Sequence, residues 1–326
     1  MIISKTPLRV SFTGGGTDLK AFYGQEFGAV TSTAIDKYIY VTVNKRFEKG
    51  FRISYSQTEI VNRLEDIKHE LVREACRLVG IEGGIEVTTI ADIPSKGTGL
   101  GSSSTVTVGL LNALYAFQGQ HKSAEELAKE ACKIEIDILK KPIGKQDQYI
   151  AAYGGFQHIR FNPDESVFVD PIICSKNIKE ELQKNIISFY TGTTRSANEI
   201  LSEQRNNTHQ TKKFEALKKM RDLAIETKET LNKNDLTRFG ECLHKNWTYK
   251  KELALGITSP LIEKYYDSAL KSGALGGKIC GAGGGGFMLI YAEQNKHDKI
   301  KNALKALKEF KLGLEPQGSK IIYVGD

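Results

Sequence analysis

The segment Pro94-Ser95-Lys96-Gly97-Thr98-Gly99-Leu100-Gly101-Ser102-Ser103-Ser104 constrains this chain more than any other. It lies between Ile85-Glu86-Val87-Thr88-Thr89-Ile90, which alternates as a strand does, and an apolar run from Val106 to Phe117 that reads as a helix. Alternate glycines let the backbone turn through conformations closed to other residues and approach a ligand with no side chain in the way. The helix that follows presents free N–H groups and the positive end of its dipole, which suits a polyphosphate. Serine hydroxyls in the first turn can donate to phosphate oxygens or serve Mg²⁺ as an oxygen ligand. The segment has neither the Gly-Lys-Ser/Thr of a P-loop nor a dinucleotide G-x-G-x-x-G, and taken alone it also fits a serine-capped turn.

Two further segments weaken the turn reading. Near the start, Pro7-Leu8-Arg9-Val10-Ser11-Phe12-Thr13-Gly14-Gly15-Gly16-Thr17-Asp18 carries an arginine-bearing strand into a glycine triplet that ends near an acid. Near the end, Gly281-Ala282-Gly283-Gly284-Gly285-Gly286 separates two short apolar runs. Three such loops at strand ends are hard to attribute to turn chemistry alone.

Composition removes several classes. The 326 residues are 40 % hydrophobic and 26 % charged, which supplies a core and excludes disorder as the main state. The longest apolar run, Phe287 to Ala292, falls far short of the roughly 20 residues that span a bilayer. The start reads as no signal peptide, so a cytoplasmic location is expected. Net charge is +7, but lysines alternate with acids, as in Lys176-Asn177-Ile178-Lys179-Glu180-Glu181. That patterning argues for solvated faces and against nucleic acid. Cys76, Cys132, Cys174, Cys242 and Cys280 are scattered and read as reduced thiols.

The order of elements predicts sheet from Ile2 to about Tyr55, a helix over 68–79, and a helix from the Ser123 capping box to Leu139. Past Asp170-Pro171 come a strand at Ile186–Tyr190, a long Lys/Glu-rich helical tract from about Thr194 to Lys271, and a closing strand–helix–strand. The expectation is two α+β domains, 1–175 and 176–326.

In this order and spacing the three glycine segments resemble the motifs of the GHMP kinases (galactokinase, homoserine kinase, mevalonate kinase, phosphomevalonate kinase), over nearly the whole chain. Gly14-Gly15-Gly16-Thr17-Asp18 stands where galactokinases carry Gly-Glu-His-Thr-Asp. With Gly144-Lys145-Gln146-Asp147-Gln148-Tyr149 and Thr191-Gly192-Thr193-Thr194-Arg195-Ser196-Ala197, it is similar to the D-glycero-D-manno-heptose 7-phosphate kinases. The resemblance implies a two-domain GHMP fold, with a ribosomal S5 domain 2-like N-terminal half and a ferredoxin-like C-terminal half. It implies an ATP- and Mg²⁺-dependent kinase acting on the anomeric hydroxyl of a sugar, most simply a heptose 7-phosphate. Another sugar-1-kinase, or a silent sugar- or nucleotide-binding relative, is the alternative. No nucleic acid or membrane partner is implied, and a homodimer is one option for assembly.

Residue by residue, Asp147 matches the catalytic aspartate, and Arg9 the basic neighbour that would offset charge on the transferred phosphoryl group. Gly97, Thr98, Gly99, Leu100, Gly101, Ser102, Ser103 and Ser104 would cradle ATP, and Ser103 and Glu135 would hold Mg²⁺. Gly15, Gly16, Thr17 and Asp18 would meet the sugar, closed over by Arg195, Gly283 and Gly284. Lys45, Arg46 and Arg195 are candidates for its terminal phosphate. Trp247, with Leu243 and Lys250 at helical spacing, reads as packing, and Cys280 as a small buried residue.

Overall fold

A computed structural model describes residues 1–94, 98–192 and 197–325; Gly97 and Arg195 among the expected site residues lie outside them. Strand β1 (Ile2–Thr13) is followed by α1 (Lys20–Tyr23), β2 (Gly28–Lys45), β3 (Phe51–Ser54), β4 (Thr58–Val61), α2 (Glu70–Val79) and β5 (Ile85–Ala91). Then come α3 (Ser102–Phe117), α4 (Ala124–Cys132), α5 (Gln146–Tyr153), β6 (Phe156–Phe161) and β7 (Val167–Pro171). The remainder is α6 (Lys176–Asn185), β8 (Ile186–Tyr190), α7 (Ala197–Asn207), α8 (Thr211–Asn232), α9 (Leu236–Lys251), α10 (Pro260–Lys271), β9 (Gly276–Ile279), β10 (Phe287–Tyr291), α11 (His297–Ala303), β11 (Lys308–Glu309) and β12 (Lys320–Val324).

Two sheets organise these elements, the α+β arrangement expected. The first has the order β12-β1-β2-β5-β3-β4, with β6 on β2 and β7 on β6. The second is antiparallel, β11-β8-β10-β9. The change from one sheet to the other falls at β7 and α6, beside the boundary expected at 175. The last strand departs from that division, because β12 returns to pair with β1.

β2 shows why the sheet forms. From Ile39 to Val43 it alternates buried Ile39, Val41 and Val43 with half-covered Tyr40 and Thr42, the pattern of a strand with one covered face. Its first eight residues are all buried, since α8 covers the second face there and Thr31 Oγ1 donates to the Ala224 carbonyl of that helix at 2.8 Å.

The seam between the sheets is aromatic. Phe12 at the end of β1 meets Phe156 at 6.0 Å and Phe239 of α9 edge-on at 5.1 Å, and Phe239 meets Tyr291 of β10 at 5.2 Å. Lys278 of β9 crosses the seam, its buried ammonium donating to the carbonyls of Ser11 at 2.6 Å and Phe12 at 3.2 Å. The end of β1 is therefore fixed from both halves of the chain.

Candidate active site

Arg9 and Ser11 stand two residues apart on β1 and so face the same way. Leu8, Val10 and Phe12 on the opposite face are buried in the core. Arg9 is 4 % exposed and grips Asp147, in the first turn of α5, with a bidentate fork. Nε donates to Oδ1 at 2.7 Å and Nη2 to Oδ2 at 2.6 Å. Nη1 donates to the Gly99 carbonyl at 2.6 Å, and the Arg9 backbone N–H to the Leu100 carbonyl at 3.1 Å. One side chain thus ties the carboxylate to the glycine loop, with little rotational freedom left in the pair.

Gly101 sits between them. Its φ of +80° is left-handed, and a Cβ there would stand 3.2 Å from Arg9 Cγ and 3.3 Å from Asp147 Oδ2. It also precedes the first turn of α3, so the helix starts with unbonded N–H groups at Ser102 and Ser103. Leu100 turns its side chain into the core and offers the loop only backbone. Thr98 Oγ1 pairs with Ser102 Oγ at 3.2 Å, and Ser104 is buried.

Two hollows lie near this loop. An apolar one is walled by Ile39, Tyr55, His69, Ile90, Ile93 and Val106 and ends at Ser102 and Ser103. The other is a polar cleft holding Arg9, Ser11, Gly15, Gly16, Asp18, Gln146, Asp147, Gln204, Lys250, Gly281 and Ala282. Asp18 is 3 % exposed; its oxygens accept from the N–H groups of Gly16 at 2.9 Å and Gln146 at 3.2 Å and from Gln146 Nε2 at 3.0 Å. Burial pushes its carboxyl up, and the backbone donors pull the other way. Gly144 packs so closely on Asp18 that a Cβ would collide with the carboxylate.

Glu135 is fully buried, and burial pushes its carboxyl up. Its Oε1 accepts from Ser103 Oγ at 2.5 Å and its Oε2 from Gln148 Nε2 at 2.7 Å. Lys141 Nζ lies 3.2 Å from Ser103 Oγ and 3.8 Å from Glu135 Oε1. A hydroxyl and a carboxylate oxygen side by side, already drawing a cation, form a hard-oxygen pair that fits Mg²⁺. Among the described residues no cluster of three or more His, Cys, Asp or Glu could hold a metal. An ion here would bring its other ligands with it, as phosphate oxygens and water.

Glu135 gets there by an irregularity. The helix expected from Ser123 to Leu139 is α-helical, with its capping box formed, only to Cys132. Lys133–Ile138 is a π-turn, in which the Leu139 N–H bonds back to the Ile134 carbonyl. Such turns redirect side chains within a continuing helix.

Several expected site residues take other tasks. Thr17 is a clasp: its hydroxyl donates to the carbonyls of Gly14 at 2.8 Å and Ala29 at 2.9 Å, and it does not line the cleft. From the last glycine loop Gly281 and Ala282 line the cleft, whereas Gly283 and Gly284 fold against Ile257, whose carbonyl accepts from Gly284 N–H at 2.7 Å. Lys45 and Arg46 are remote. Ala34 pairs with Arg9 and Lys45 lies eleven residues along β2, roughly 36 Å of strand at about 3.3 Å per residue.

Sequence reasoning gave no role to Ser11, Gln146, Gln204, Lys141, Gln148 or Lys250. Gln146 and Gln148 flank Asp147 in a motif already singled out. Lys250 carried a signal, a lysine on the apolar stripe of its helix.

The N-terminal GHMP kinase family model matches residues 65–155 and the C-terminal one residues 227–310. This chain belongs to the GHMP kinases. It is accordingly an ATP-dependent small-molecule kinase. The chain is 31 % identical over 316 residues to the D-glycero-alpha-D-manno-heptose 7-phosphate kinase of Campylobacter jejuni, covering 93 % of each. It is 26 % identical to the L-fucokinase/L-fucose-1-P guanylyltransferase of Bacteroides fragilis, across 90 % of this chain and 35 % of that protein. In fold this GHMP kinase superposes on a D-glycero-D-manno-heptose 1-phosphate kinase from Bacteroides thetaiotaomicron with TM-score 0.82 and 24 % identity, covering 100 % of both chains.

Proposed function

We propose that this GHMP kinase transfers the γ-phosphoryl group of ATP to the anomeric hydroxyl of a sugar, D-glycero-D-manno-heptose 7-phosphate, to give the 1,7-bisphosphate. The observation that carries the reading is Gly101: it directly precedes Ser102 of the apolar hollow and, bare of a side chain, packs against Arg9 and Asp147 of the polar cleft, with Asp147 Oδ2 3.3 Å from where a Cβ would stand. The adenosine would lie in the apolar hollow, with its phosphates along Thr98–Ser104 at the start of α3. The sugar would lie on Asp18, Gln146 and the backbone of Gly15 and Gly16, and Arg195 is proposed to close over it. Residues 1–175, with β12, form the nucleotide-binding half in this reading, and 176–326 the half that covers the sugar.

Ser103 and Glu135 would hold Mg²⁺, which supplies charge neutralisation on the transferring phosphates. The protein's part is positioning. Arg9 holds the Asp147 carboxylate in one orientation, so that an oxygen can accept the proton of the attacking hydroxyl as its bond to phosphorus forms. The first-turn N–H groups of α3 hold the phosphate oxygens in place.

Polar atoms without partners support a polyol in the cleft. Ser11 Oγ, Gln146 Oε1 and Gln204 Nε2 are buried and lack hydrogen bonds, and each belongs to a cleft residue. Unsatisfied groups of this kind cost about 1–3 kcal/mol each and are the groups that sugar hydroxyls satisfy. The 31 % identity to a heptose 7-phosphate kinase supports the heptose as the sugar; the fucokinase similarity makes a hexose or 6-deoxyhexose the second reading.

A coupled ADP-release assay on heptose 7-phosphate, heptose, fucose, galactose and mevalonate, with ³¹P NMR of the product, tests this. Turnover is expected on the heptose 7-phosphate, with a new anomeric phosphate. Preference for an unphosphorylated sugar would overturn the substrate, and no ADP release with any would overturn the reaction.

A further inference from the structure

Lys250, one of two lysines in the last turn of α9, is 4 % exposed and lines the cleft with Arg9, Asp18 and Asp147. Arg9, the other cation there, is fully engaged by Asp147 and the Gly99 carbonyl. The Lys250 ammonium donates to one neutral group, the Gly281 carbonyl, and no carboxylate among the described residues is within ion-pair distance of it. A buried ammonium with three donors, one of them engaged by a carbonyl, has no counter-ion in contact, and an anion that reached its free donors would complete it. Lys278, the comparable buried lysine, differs in kind: two carbonyls take its ammonium, and it does not line the cleft.

The partner of Lys250 locates the anion. Gly281 abuts Gly99 so tightly that a Cβ on it would stand 2.5 Å from the Gly99 Cα, and the Gly99 carbonyl in turn accepts from Arg9. The ammonium therefore hangs from the last glycine loop where that loop touches the nucleotide loop, on the side of the cleft that holds Asp147. We propose that Lys250 binds a phosphoryl group inside the cleft beside Asp147, serving as the second-sheet half's cationic contact to the group in transfer. The identity of that group rests on the kinase reading above. Burial pushes the Lys250 amine down to about 8, as expected of a cation that awaits its counter-charge.

Lys250→Met and Lys250→Arg test this in two ways. First, inorganic phosphate is titrated calorimetrically into the protein without nucleotide or sugar, a measurement that stands even if no sugar is turned over. The methionine variant is expected to bind at least tenfold more weakly than wild type, with Lys250→Arg regaining most of the affinity. Equal affinity in wild type and Lys250→Met, or no binding by wild type, would overturn the proposal. Second, kcat and KM are compared on phosphorylated and unphosphorylated sugars. A kcat lowered 100-fold or more on both, with KM for sugar within threefold, assigns the phosphoryl group in transfer. A rise in KM confined to the phosphorylated sugar assigns the sugar's own phosphate instead, and both kinetic constants within threefold of wild type on every sugar would overturn the proposal. If Lys250→Arg loses as much as Lys250→Met and both melt several degrees lower, the role is structural and the proposal fails.

Discussion

Asp147 has both oxygens held by Arg9 at 2.6 and 2.7 Å while 23 % of its side chain stays open to the cleft. Asp147→Asn keeps the shape and sets an amide against the arginine fork. It is expected to lower kcat by about 10³, within the roughly 10²–10⁴ that a positioned acid–base group supplies. ATP affinity should stay within about threefold by titration, because the apolar hollow and the loop are untouched. Turnover near wild type would remove Asp147 from the chemistry. Lys250 makes a pH prediction. It faces Arg9, Asp18, Asp147, Cys280 and Lys278, and its amine sits near 8 in the folded protein against an ordinary 10.5. Between those values the unfolded chain binds the proton and the folded one does not, so this group adds stability as pH rises. Melting curves of wild type and Lys250→Met from pH 7 to 9.5 should therefore diverge in favour of wild type as pH passes 8. A constant difference would contradict a buried, proton-releasing lysine. Arg9, Asp18 and Asp147 were legible because each sits inside a motif. Lys250 was not, because helical spacing says that a side chain is buried but not what stands opposite it.

The start of α3 and the π-turn are the elements on which the site depends. Gly101 combines a φ of +80° with a location against Arg9 and Asp147, so an alanine there strains the backbone by about 1–3 kcal/mol and displaces the ion pair. Gly101→Ala should lose more than tenfold in kcat and melt a few degrees lower; an unchanged rate would show that the loop and the pair move independently. The strand before this loop, the helix after it and the capping box at Ser123 were readable from periodicity and capping chemistry. The π-turn at Lys133–Ile138 was not, since nothing in the apolar spacing distinguishes one extra residue in a helix. The tract from about Thr194 to Lys271 has one composition throughout. Its described part resolves into four helices because Thr208, Asn234 and Ser259-Pro260 interrupt it at turns.

Across the whole molecule the two sheets share one aromatic seam, with Phe239 packed between Phe12 and Tyr291. Phe239→Ala removes a fully buried ring, a loss of about 3–5 kcal/mol. Because the ring serves both sheets, urea unfolding followed by the fluorescence of Trp247, in the second sheet's core, and by far-UV circular dichroism should shift by the same amount. Separate transitions would mean that the halves unfold independently. By itself the sequence determined the α+β class, the glycine loops at strand ends, and the residues written into motifs: Arg9, Asp18, Asp147, Ser103. The class and the loops follow from local rules, in which a period, a cap or a glycine fixes the backbone over a few residues; the four residues stand out through the resemblance of their motifs to those of the GHMP kinases. Tertiary structure alone decided that β12 returns to β1, that Thr17 and Gly283 turn from the cleft while Gln146 and Gly281 enter it, and that Lys250 lines the same cleft as Asp147. Those outcomes depend on which surfaces meet when residues hundreds of positions apart exclude water together, and no window of the chain contains that information.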